Sequence, residues 1–182
     1  SSDLFPFVKS FNITSHEQKT LYQSSYTNKK ESILSIEDVK KGDVLVRIES
    51  PTEFPNYYFR NIKSPKKLTQ ITFIKNPFTS IEGITKEVIH YKRDDGLDLS
   101  GTLYLPKGYD KQKKEKLPLL IWAYPEEFKD KQSAGQNKSN PNEFTYPNYG
   151  SFVYWVTKGY AILDDASFPI IGEGKEEPND RF

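Results

Sequence analysis

The sequence predicts two kinds of structure in succession, an antiparallel β region followed by an α/β region. Three observations carry that expectation. Up to about Phe78, short alternating segments are separated by turn-forming residues. Residues 117–124, LPLLIWAY, form a continuous apolar run, the pattern of a strand buried on both faces. A helical segment then lies between that run and a second apolar run at residues 160–163. Strand, helix and strand in that order imply a parallel crossover.

In the first region, residues 20–23 read as a strand and residues 24–30 as a turn-rich stretch. Residues 32–36 follow, with Ile33 and Leu34 as their apolar pair. Lys41-Gly42-Asp43 is a tight turn before residues 44–48, where Val44, Val46 and Ile48 alternate with Leu45 and Arg47. Further strands are expected at 56–62 and 68–71, with a turn at 64–67 between them. Short strands spaced by turns suit a sandwich or a propeller blade. No complete internal repeat is present.

Asn76-Pro77 and residues 78–83 read as a linker. Residues 84–91 alternate, with Ile84, Val88 and His90 on one face and Ile89 and Tyr91 on the other. Arg93-Asp94-Asp95-Gly96 is a hairpin turn, because Asp-Gly readily supplies positive φ. Leu97, Leu99, Leu103 and Leu105 share one face of the returning strand, which ends at Pro106-Lys107-Gly108. Residues 125–147 read as a long polar loop. Ser151 caps a helix over residues 152–158, with Phe152, Trp155 and Val156 at helical spacing and Gly159 as its stop.

Composition narrows the function classes. The 182 residues allow one domain or parts of two. Aromatic residues make up 14% of the chain, enough for large buried surfaces and too many for a disordered chain. Lys and Arg number 26 against 25 Asp and Glu, so no broad field for nucleic acid is expected. Lys111, Lys113, Lys114 and Lys116 cluster locally and read as a solvated loop. Cysteine is absent, which excludes disulfides and thiolate metal sites. With two histidines a structural zinc site is not expected either. Neither a signal peptide nor an apolar run of membrane-spanning length is present, and no membrane partner is expected.

Several segments together carry a resemblance. They are PNYYFR from Pro55, YKRDDG from Tyr91, GTLYLP from Gly101 and WAYPEEFK from Trp122. AGQ from Ala134, IIGEG from Ile170 and EEPND from Glu176 continue the series. Their order and content resemble the prolyl oligopeptidase family of serine peptidases, and within it the glutamyl endopeptidase-like branch. The resemblance implies that residues 1–78 are the last part of a β-propeller-like domain. Residues 79–182 are then the opening strands of an α/β-hydrolase domain, cut before its nucleophile. The sequence contains no Gly-x-Ser-x-Gly, the strained turn that carries the nucleophile in that fold. The implied function is a piece of a serine-type peptidase that hydrolyses peptide bonds through an acyl-enzyme. It is inactive alone because Ser, Asp and His lie elsewhere. No cofactor is implied, peptides are the implied substrates, and a periplasmic or secreted setting is implied for the parent.

Tyr124 is the candidate site residue. It ends the run 117–124, and loops beyond strand ends are where open α/β sheets meet ligands. On chemistry alone it either packs at the strand end or donates its hydroxyl to a ligand. The resemblance implies a donor to the oxyanion of the tetrahedral transition state. His16 and His90 have no Ser or Asp partner at motif spacing and read as structural or exposed. Asp164-Asp165 reads as a strand-end turn, and the acidic stretch Glu173, Glu176, Glu177 and Asp180 as loop architecture. Gly172-Glu173-Gly174 is too short for a phosphate loop. Asn12-Ile13-Thr14 and Asn137-Lys138-Ser139 match the glycosylation pattern, a weak three-residue signal. Phe54, Tyr57, Tyr58 and Phe59 are expected in the core and in cross-strand pairs.

A second reading is a non-catalytic binding or self-association module, since a half-built sheet exposes an edge and an apolar face. Aromatic content alone also fits a carbohydrate-binding β-module. The run 117–124 and the helix after it argue against that third reading.

Overall fold

A computed structural model describes residues 5–129, 134 and 140–172. The chain is mostly β-sheet with few helices, and it divides into two compact units. One comprises Ser1–Pro77 with Asn142–Thr145; the other comprises Phe78–Pro141 with Tyr146–Phe182.

In the first unit, β1 (Phe7–Phe11) and β2 (Gln18–Gln23) pair antiparallel. The residue pattern gives no signal for β1. A four-stranded antiparallel meander follows in the order β3-β4-β5-β6, from Lys30–Asp38, Asp43–Glu49, Asn56–Asn61 and Leu68–Gln70. The alternation in β4 is realised: Val44, Val46 and Ile48 are buried with Val8, Tyr22 and Ile62. Gly42 adopts φ 79° in the turn before β4, as that tight turn requires. A buried ion pair lies in the same unit. Arg60 Nε donates to Glu31 Oε1 at 2.5 Å, and Tyr22 donates to Glu31 Oε2 at 2.6 Å. Burial lowers the Arg60 pKa, but the charge and hydrogen bond of Glu31 together with Tyr26 and Tyr22 oppose it, and the net shift is upward. Tyr58 packs on this core and Phe54 meets Phe144 edge-on at 5.2 Å, as expected of the aromatic cluster. Phe59 departs from that expectation and is exposed, because its side of β5 is not covered among the described residues.

In the second unit, β7 (Thr85–Lys92) and β8 (Asp98–Leu105) form the hairpin expected from Asp-Gly. Gly96 takes φ 84°, and its N–H closes the turn on Arg93 O at 2.8 Å. The sheet order is β7-β8-β11-β9, with β9 at Leu119–Ile121 and β11 at Ala161–Asp164. β9 and β11 are parallel, so the crossover stands. The helix between them also stands, with Ser151 accepting from Val153 N and Gly159 in the left-handed region.

Three expectations need correction. First, the helix Phe152–Lys158 is 3₁₀ throughout, not α. Three residues per turn align Val153 with Val156, and these two are buried. Trp155 lies on another side and is half exposed. Second, β9 is not buried on both faces: Leu119 and Ile121 are 52% and 57% exposed. β9 sits at the sheet edge with β11 as its one strand neighbour among the described residues. Third, residues 125–147 are not all loop. β10 (Pro125–Phe128) pairs in parallel with β12 (Phe168–Ile171).

Candidate functional site

The site is built where two parallel strands leave their sheet together. Backbone pairing of β9 with β11 continues one residue past β9, through Trp122 N to Leu163 O at 2.8 Å. Ala166 N returns to Trp122 O at 3.1 Å, which clamps the two departing segments. Beyond the clamp they pair again as β10 and β12. Tyr124 lies on one of these connections and Asp165 on the other. Because β9 and β11 are parallel, both connections emerge at the carboxyl ends of the strands, the place where open α/β sheets bind ligands.

A cleft of about 370 Å³ opens there, lined by Tyr124, Trp122, Asp164, Asp165, Lys86, Thr102 and Tyr104. Tyr124 is 74% exposed, so its phenol is available rather than packed away. The Trp122 ring stacks on Phe152 with centroids 5.3 Å apart, anchoring the connection two residues before Tyr124. Asp165 has φ 50°, a left-handed conformation that Asp tolerates better than most residues. Burial raises the pKa of the Asp164 carboxyl; the Asp165 backbone N–H opposes this, the Asp165 charge adds to it, and Lys86 opposes it. A tyrosine hydroxyl beside such a cleft can donate one hydrogen bond to charge developing on a substrate oxygen.

Asp164-Asp165 is a strand-end turn, as the sequence predicts, and it also lines the cleft with Tyr124. Sequence reasoning misses Lys86, Thr102 and Tyr104. Their signal is parity: Lys86 pairs with Tyr104, and Thr102 pairs with Asp164 on the other neighbouring strand, so one sheet face collects them. His90 is exposed on β7, and His16 stacks on Phe11 in the β1–β2 turn. Neither lines the cleft. Lys111, Lys113, Lys114 and Lys116 are exposed, with Lys111 paired to Glu87. The Asn12 side chain accepts from Thr14 N and Ser15 N. Glu173, Gly174, Glu176, Glu177, Asp180 and Asn137-Lys138-Ser139 lie outside the described residues.

No family model matches the sequence. Two curated proteins do, both called probable glutamyl endopeptidase, chloroplastic. The one from Oryza sativa subsp. japonica is 40% identical over 97% of this chain and 20% of its own length. The one from Arabidopsis thaliana is 38% identical over 97% of this chain and 19% of its own length. The chain thus spans about a fifth of the length of these relatives. Among solved structures, the apo AtxE2 isopeptidase matches 90% of this chain and 22% of its own, with TM-score 0.50 and 16% identity. Oligopeptidase B from Trypanosoma brucei, with covalently bound antipain, matches 87% and 21%, with TM-score 0.50 and 13% identity. These two likenesses concern the fold. The chain is a relative of the glutamyl endopeptidases, and the resemblance to the prolyl oligopeptidase family that its motifs carry holds.

Proposed function

We propose that this chain supplies one wall of the active site of a serine-type peptidase that cleaves peptide bonds through an acyl-enzyme. In this reading residues 79–182 are the opening strands of an α/β-hydrolase domain. The sheet order β7-β8-β11-β9, with its parallel crossover, supports that assignment. Residues 1–78 are the last part of a β-propeller, a reading supported by the antiparallel meander β3-β4-β5-β6. The observation that carries the function is the exposed Tyr124 on the connection that leaves the carboxyl end of β9, on the rim of the cleft. Its hydroxyl donates to the oxyanion beside a backbone N–H. The nucleophilic serine, activated by histidine, comes from elsewhere in a longer polypeptide.

No cofactor enters this chemistry, and the substrate is a peptide. The chain alone is inactive, because it has no Gly-x-Ser-x-Gly to present a nucleophile. A fluorophosphonate probe tests this. The full-length polypeptide should take the label on a serine outside these 182 residues, and this chain alone should take none. A full-length polypeptide without label would sink the peptidase reading.

One observation favours a second reading, a self-association module. The edge strand β9 presents Leu119 and Ile121 to solvent, a surface that another strand can cover.

A further inference from the structure

Gly101 stands in the middle of β8, with a φ outside the left-handed region that favours glycine. Conformational freedom therefore does not account for it; space does. A Cβ at this position would meet Leu163 Cδ1 at 3.0 Å, Ala166 Cα at 3.3 Å and Asp164 O at 3.5 Å. The departing end of β11 thus lies flush on β8 at Gly101. Ser167 N donates to Ser100 O at 2.9 Å and fastens the same stretch one residue away. From there the contact passes directly to the other connection. Leu163 O accepts from Trp122 N, and Ala166 N donates to Trp122 O. Trp122 is two residues from Tyr124.

We infer that Gly101 is a positioning residue for Tyr124: the missing Cβ lets residues 163–166 sit low on β8, and their clamp on Trp122 sets where the Tyr124 phenol stands. This rests on the proposed role of Tyr124 as oxyanion donor. A methyl group at Gly101 meets backbone at Ala166 Cα, so the connection must rise by a few tenths of an ångström. An oxyanion donor is sensitive to such a shift, since a misplacement of about 1 Å can cost on the order of 100-fold in rate.

The test is a double-mutant cycle on the full-length polypeptide with a peptide substrate. Gly101→Ala is expected to lower kcat about tenfold with KM changed less than about twofold. In the Tyr124→Phe background the same substitution is expected to have no further effect, because the group it displaces is already gone. A loss of the same factor in both backgrounds, or an unchanged kcat in Gly101→Ala, overturns the inference and leaves the role of Tyr124 standing. A Tyr124→Phe variant with unchanged kcat overturns the oxyanion reading itself, and this inference with it. Should Gly101→Ala fail to fold, Gly101→Ala with Leu163→Val, which removes the nearest contacting atom, enters the same cycle in its place.

Discussion

Asp164 holds its proton more tightly in the fold than in the unfolded chain, because burial disfavours its charged form. The raised carboxyl contributes stability that is full below the ordinary carboxylate pKa and is lost as pH rises through the folded value. Asp164→Asn stays neutral throughout. Thermal melting of the two proteins should therefore converge in acid, with the wild type falling below the variant as the pH climbs out of the carboxylate range. Parallel curves would show that burial of this carboxylate is not coupled to folding. Tyr124 was legible in the sequence as the last residue of an apolar run, whereas its neighbours in the cleft were not. Lys86, Thr102 and Tyr104 reach the cleft through cross-strand register, which pairs residues far apart in the chain.

The crossover helix shows what local sequence determines and what it leaves to packing. Ser151 and Gly159 mark its ends through chemistry that needs no tertiary partner, a side-chain cap on Val153 N and a left-handed stop. Ser151→Ala should cost about 1 kcal/mol, and Gly159→Ala about 1–2 kcal/mol for the left-handed position. Chemical denaturation measures both, and unchanged midpoints would contradict the capping geometry. The choice of 3₁₀ over α was not legible, since seven residues give too short a repeat to separate the two periods. The strand β10 was also hidden. Its Pro-Glu-Glu opening reads as loop, and only its parallel partner β12 makes it a strand. The apolar run at residues 117–124 does contain a strand, but that strand is not buried on both faces. Hydrophobicity records what a strand can bury, and β9 has one strand neighbour among the described residues.

At the level of the whole molecule, each of the two units has its own cluster of buried apolar residues. The second also carries two exposed apolar side chains, Leu119 and Ile121, on one face of the strand at the edge of its sheet. Expressed alone, the chain should associate through this face as concentration rises, and Ile121→Lys should suppress that, because a charge on an edge strand opposes pairing. Light scattering across a concentration series reads the outcome; a wild-type chain that stays monomeric counts against β9 as a sticky edge. In the peptidase reading the same face is covered by further parts of a longer protein, so the two readings share one surface.

The proposed function rests on Tyr124 donating to a transition-state oxyanion. Steady-state kinetics of Tyr124→Phe in the full-length polypeptide test it most directly. The phenylalanine keeps the ring and removes only the hydroxyl. The predicted result is a kcat lower by about 100- to 1000-fold with KM nearly unchanged, as expected when one oxyanion donor is lost. An unchanged kcat, or a loss confined to KM, would contradict the role assigned to this residue.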